Sequence, residues 1–248
     1  MIEDKKYIRL PKPEEFLDSR MQLRKLGDNQ WKQHIFFHIL KFYKEIDNNQ
    51  VINLINKEKR KPQANKEKRK PRAEIEEAIK KFIVKQLKND KRFDTHGFIV
   101  NREPSSEHSG FYDLKFEHSD WRGKYFSFEC KNLGAASKAS TTSTIKEYVY
   151  NKSTQDGGVY RYMIGKYARD FNFGGMIGFI IKGETDIIIE EIIKKLHRVS
   201  NDNIGKLTDK SIVRNSIENN KNTFNSIHIR AKGNKEFTLH HIMMNFSK

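Results

Sequence analysis

Residues 110–132, GFYDLKFEHSDWRGKYFSFECKN, hold two acids and a lysine in an arrangement able to act on a phosphate ester. The stretch reads as two strands around a turn at Ser119 to Gly123, centred near Trp121. Pairing about that centre sets Glu117 opposite Tyr125, Lys115 opposite Ser127 and Asp113 opposite Glu129, a register that a one-residue slip would undo. Alternation then turns Phe126, Phe128 and Cys130 toward a core, and Ser127, Glu129 and Lys131 to a polar face beside Asp113. Carboxylates facing each other across neighbouring strands have Cβ atoms about 4.5–5.5 Å apart and repel unless a cation sits between them. Mg²⁺ or Mn²⁺ suits such hard oxygen donors, activates water and stabilises charge developing on a phosphate. An adjacent lysine can orient or deprotonate that water, so these residue types suit phosphodiester hydrolysis.

The elements that must position these groups are written in the periodicity. Ala73 to Leu87 predicts a helix, with Ile75, Ile79, Phe82, Ile83 and Leu87 on one face and acids in its first turn. Strands are expected at Phe98 to Val100, Phe111 to Glu117, Lys124 to Lys131 and Met176 to Ile181. Helices are expected around 157–169 and at Ile187 to Leu196. A last hairpin, Ile227 to Ala231 and Phe237 to Phe246, flanks Gly233-Asn234. This order predicts an α/β (mixed α+β) domain over 73–248, a central mixed β-sheet flanked by helices.

Ahead of it, Trp31, Ile35, Phe36, Ile39, Leu40, Tyr43 and Ile46 recur at three- and four-residue steps. They predict an N-terminal helical extension over 1–55, whose apolar face packs on the main domain or on another chain. Between lies a basic linker, 56–72, in which NKEKRKP occurs at 56–62 and again at 65–71. Lys57 to Arg72 carries nine basic and two acidic residues, and Pro62 and Pro71 interrupt helix propagation.

Asp113, followed on the next strand by Glu129-Cys130-Lys131, resembles the signature of the PD-(D/E)xK nuclease superfamily: an acid at the start of one strand, an acid-x-lysine on the following one, usually in a helix-flanked sheet. The resemblance implies a restriction-endonuclease-like fold and Mg²⁺, with Mn²⁺ as a substitute. It makes Asp113 and Glu129 metal ligands, Lys131 the catalytic lysine and the Cys130 carbonyl a further metal contact. Some members add a glutamate from the preceding helix, and Glu76 fits because it borders the apolar face while Glu77 points away from it. Tyr112 stands in place of the motif's proline, a commonly variable position. Acid-x-lysine alone is cheap, since Glu3-Asp4-Lys5, Asp4-Lys5-Lys6 and Asp113-Leu114-Lys115 also match. Only Glu129-Cys130-Lys131 ends a core-like strand with an upstream acid in register. The plain alternative is an exposed strand face whose charges form ion pairs worth little each.

The chain of 248 residues has a formal charge of +16, which favours a polyanionic partner, DNA first. Candidate nucleic-acid contacts are Arg161 and Lys166 among tyrosines, Lys138 in the hydroxyl-rich KASTTST, and Lys68, Arg69 and Lys70 in the repeat. The tyrosines pack a helix as readily, KASTTST reads equally as a polar loop capping the next helix, and a charge run is commonly a solvated linker. His34 and His38 lack the glutamate of a zinc-protease helix and read as a structural pair. His240 and His241 point to opposite faces of a strand. The single cysteine, Cys130, excludes an internal disulfide and points inward. No apolar run approaches a bilayer-spanning length and the opening MIEDKKYIRLPKPEEF has no apolar core, so no membrane partner and a cytoplasmic location are expected.

By resemblance, the expected function is an Mg²⁺-dependent DNA endonuclease of restriction or anti-phage defence. It would act as a homodimer or with a partner subunit, for which the 30–46 helix offers a contact. The alternatives are a non-catalytic basic nucleic-acid-binding protein and a partner-activated nuclease effector acting on DNA or RNA.

Overall fold

The computed structural model describes residues 26–60, 71–102, 105–106, 110–134, 138–200, 206–230 and 235–247. Helix α1 (Asp28–Glu45) and α2 (Asn48–Arg60) precede α3 (Pro71–Asn89) and a short α4 (Lys91–Thr95). Pro71 opens α3 because a first-turn residue has no intrahelical use for an N–H. The stripe that predicts α3 is the one it buries: Ile75, Ile79, Ile83 and Leu87 are each at most 3% exposed.

Besides the short pair Ser105–Ser106 and Gly110–Phe111, the described strands form a seven-stranded mixed sheet. They are β1 (Phe98–Arg102), β2 (Leu114–His118), β3 (Tyr125–Leu133), β4 (Phe173–Ile180), β5 (Lys206–Arg214), β6 (Thr223–Ile229) and β7 (Glu236–Asn245), in the order β1-β2-β3-β4-β7-β6-β5. β3, β4 and β7 run parallel; the outer pairings are antiparallel. α5 (Lys138–Tyr148) and α6 (Gly158–Met163) cross from β3 to β4, and α7 (Thr185–Val199) follows β4. One core lies between the sheet and α1–α4, a second between the sheet and α5–α7.

The N-terminal helix is part of the first core. Trp31, Ile35, Phe36 and Ile39 are buried in one cluster with Phe126, Phe128 and Cys130. Tyr43 ties α1 to β7 by accepting the Asn245 N–H at 2.8 Å. The apolar face of the 30–46 helix is therefore covered by its own chain, and the expected subunit contact through it is not available. The expected linker shrinks from both ends, because α2 continues to Arg60 and α3 starts at Pro71.

Three other departures have local causes. KASTTST enters α5 although hydroxyl and β-branched residues favour caps and turns, because Ile145 and Tyr148 bury in the second core. The helix expected over 157–169 ends at Met163, and left-handed backbone at Gly165 and Ala168 turns the chain. β5 is an edge strand, too polar to show an apolar alternation, with a register shift between Leu207 and Ile212. The Gly233-Asn234 turn lies outside the described residues, although the strands it was expected to join pair antiparallel. No helix of the described residues is long and apolar enough to cross a membrane.

Candidate active site

The β2–β3 hairpin adopts the expected register: Leu114 faces Phe128, Lys115 faces Ser127, Phe116 faces Phe126 and Glu117 faces Tyr125. The ladder stops at Leu114, so Asp113 lies in the bend just before β2. Its carboxylate turns back to β3, where Oδ2 accepts the Cys130 N–H at 2.7 Å. Alternation places Cys130 in the first core and Glu129 on the opposite face.

That opposite face is polar, as expected, but it is not the exposed strand face of the plain alternative. Ser127 and Glu129 are 2% and 1% exposed, because α5 and α6 cover them. Gly158 makes this close approach feasible, since a Cβ there would lie 2.9 Å from the Tyr148 carbonyl oxygen and 3.3 Å from Cγ of Glu129. Gly158→Ala is expected to force α6 outward and destabilise the fold by roughly 1–3 kcal/mol, read as a lowered urea midpoint.

Four oxygen-bearing groups surround the Lys131 ammonium. Its Nζ lies 2.6 Å from Glu129 Oε1 and 2.9 Å from the Cys130 carbonyl oxygen. Glu76 Oε1, arriving from α3, is 3.8 Å away, and Asp113 Oδ2 is 3.9 Å away. Lys80, also on α3, donates to Asp113 Oδ1 at 2.6 Å. On the far side Arg161 of α6 donates to Glu129 Oε1 at 2.7 Å and grips both oxygens of Asp156 at 2.8 and 2.6 Å. Tyr167 accepts a further Arg161 N–H at 3.2 Å.

Burial dominates the electrostatics. It pushes the Glu76 carboxyl up to about 7, with Lys131 opposing and Asp113 reinforcing the shift. It also raises Glu129, against the pull of Lys131. Burial works against the Lys131 ammonium, but Glu129, Glu76 and Asp113 outweigh it and hold its pKa above the ordinary lysine value.

The structure thus brings together Asp113, Glu129, Lys131, Glu76 and the Cys130 carbonyl. Glu77 does not reach Lys131; it pairs with Arg102 and with Lys80. Arg161 reaches the same cluster, with its guanidinium spent on Asp156 and Glu129 rather than offered to solvent. Lys166 lines a separate groove of about 940 Å³ with Lys124, Arg169 and Lys235. Lys68, Arg69, Lys70 and the side chain of Lys138, which opens α5, lie outside the described residues. Sequence reading missed Lys80, yet the rule that selects Glu76 also selects Lys80: one turn on, it borders the same apolar stripe. His34, His38, His240 and His241 are buried. His38 Nε2 lies 3.1 Å from His96 Nδ1, His240 packs against Phe36, and His241 bonds Tyr148 on the other face.

The donor set, three carboxylates and a carbonyl around one cationic point, fits Mg²⁺ or Mn²⁺. Among the described residues no three carboxylate, thiol or imidazole groups are gathered closely enough to hold a metal as they stand. All three carboxylates are instead paired with the Lys131 ammonium. A scan against models of known families and searches of curated proteins and of solved structures found no match.

Proposed function

We propose that this protein is a divalent-metal-dependent endonuclease that hydrolyses DNA phosphodiester bonds. The observation that carries this reading is the convergence of Glu76, Asp113, Glu129 and the Cys130 carbonyl on one ammonium, where β2 begins beside the end of β3. Gathering buried carboxylates is costly, and three around one point suit a centre of higher charge than a lysine. Mg²⁺ held by these groups would activate water and offset charge building on the scissile phosphate. Lys131, turned from the centre, would orient that water or hold the phosphate. Arg161 fixes Glu129 from above. The acid before β2, the Glu-Cys-Lys run on β3 and the helix-flanked sheet support the resemblance to PD-(D/E)xK nucleases, and the +16 charge supports a DNA substrate. Restriction or defence against invading DNA is the setting we propose, with a second subunit or an activator supplying two-strand cutting.

The test is nicking of supercoiled plasmid by wild type and Lys131→Ala with Mg²⁺, Mn²⁺ or EDTA. Metal-dependent nicking should fall by about 10²–10⁴-fold in the variant. A second reading, a basic nucleic-acid-binding protein without catalysis, draws on the fact that each carboxylate of the cluster already has a cation partner. It expects both proteins to shift DNA alike on a gel and neither to cut.

A further inference from the structure

Helix α3 delivers two groups to the cluster, one turn apart, and the second has no part in the reading above. We infer that Lys80 is a positioning residue, which holds the Asp113 carboxylate in the orientation that presents an oxygen to the cation site. The inference rests on the nuclease reading.

Asp113 sits in a bend outside the strand ladder, so no backbone pairing of its own fixes where its side chain points. Two donors do so instead. Lys80 Nζ holds Oδ1 at 2.6 Å and the Cys130 N–H holds Oδ2 at 2.7 Å. Gripped at both oxygens, the carboxylate cannot rotate, and Oδ2 stays 3.9 Å from the Lys131 ammonium that marks the centre. The Lys80 amine is steadied in turn by Glu77 Oε2 at 3.3 Å, and Glu77 is anchored to Arg102 at the end of β1.

A purely structural tie would not need this charge. Lys80 is 4% exposed, and Ile75, Ile79 and Ile83 already fasten α3 to the core. Buried ion pairs commonly stabilise no better than apolar side chains of the same shape. A charged donor behind a ligand, by contrast, commonly governs metal affinity or activity by about 10–100-fold.

The experiment compares wild type, Lys80→Met, Lys80→Gln and Lys80→Arg by Mn²⁺ titration followed by electron paramagnetic resonance, by urea unfolding and by plasmid nicking. Lys80→Met leaves the buried Asp113 carboxylate without its nearest cation, so it should lower the urea midpoint as well as lowering Mn²⁺ affinity and nicking by about 10–100-fold. Lys80→Gln, which keeps a donor without the charge, should fall between, and Lys80→Arg should recover most of the affinity. A folded Met or Gln variant that binds Mn²⁺ and nicks like wild type overturns the role, as does a Met variant that loses stability but keeps its Mn²⁺ affinity. If Lys80→Met does not fold, Lys80→Gln decides. Wild type that neither binds Mn²⁺ nor nicks overturns the nuclease reading itself, a result distinct from losing the role of Lys80 alone.

Discussion

Glu129→Gln is expected to lower metal-dependent cleavage by about 10²–10⁴-fold and to destabilise the fold by roughly 3–5 kcal/mol. The substitution keeps the shape of the side chain, so the cavity under α6 stays filled and what is removed is the charge. Glu129 Oε1 receives both Lys131 at 2.6 Å and Arg161 at 2.7 Å, and the side chain is fully enclosed. An amide there leaves two cations facing a group that donates as readily as it accepts. Lys131 retains only the longer contacts to Glu76 and Asp113, at 3.8 and 3.9 Å, and cannot turn to water without breaking its bond to the Cys130 carbonyl. Asp156→Asn is the control, since Asp156 is 43% exposed and Arg161 would keep Glu129, so its cost should be about 1 kcal/mol or less. Urea unfolding and plasmid nicking of both variants check the point. A Glu129→Gln protein as stable as wild type and still cutting would remove Glu129 from both roles.

Acidification from pH 7 to 5 should cost the fold much of its stability, through buried histidines rather than carboxylates. Burial holds His34 down at about 4, with His96 adding to the effect, and burial likewise holds His38 at about 3 and His228 at about 3. His240 and His241 are also held well below the ordinary value of 6.5 by burial. Each folded pKa is depressed, so the unfolded chain takes up protons first as pH falls below 6.5, and stability is lost until the folded value is reached. At pH 5 His34, His38 and His228 each contribute a loss of about 2 kcal/mol, and His240 and His241 add in the same direction. The sum is comparable with the roughly 5–15 kcal/mol that holds a typical domain together. Glu76 and Glu129 act the other way: their raised pKa values let the folded form bind protons first, which offsets part of the loss. Asp28, Asp90 and Asp156 have lowered values and add to the loss only in stronger acid. Urea midpoints measured between pH 7.5 and 4.5 should fall steeply from 6.5 downward, and less steeply in His228→Gln. A flat profile from 7 to 5 would show that these imidazoles are not held neutral.

Much of the candidate site is legible in 110–132 because it is a hairpin. The turn at Ser119 to Gly123 and a side-chain period of two fix which residues face each other, and both are local properties of the chain. The same holds for α3, where the stripe through Ile75, Ile79 and Ile83 sets which flanking residues point to the sheet edge. Alternation also separates His240 from His241 without reference to any other element.

What the sequence determined by itself is therefore the mixed, helix-flanked sheet, the β2–β3 register, the two faces of β3 and the approach of Glu76 from α3. Tertiary structure alone decided that Glu129 is enclosed, that Arg161 reaches it, that KASTTST is a helix and that α1 packs on its own sheet. A local pattern records the period of an element and its nearest partners along the chain. Which helix lies over a given strand depends on apolar area gathered from distant segments, as when Ile145 and Tyr148 of α5 and Gly158 of α6 close over Glu129, and no short window of sequence contains that sum.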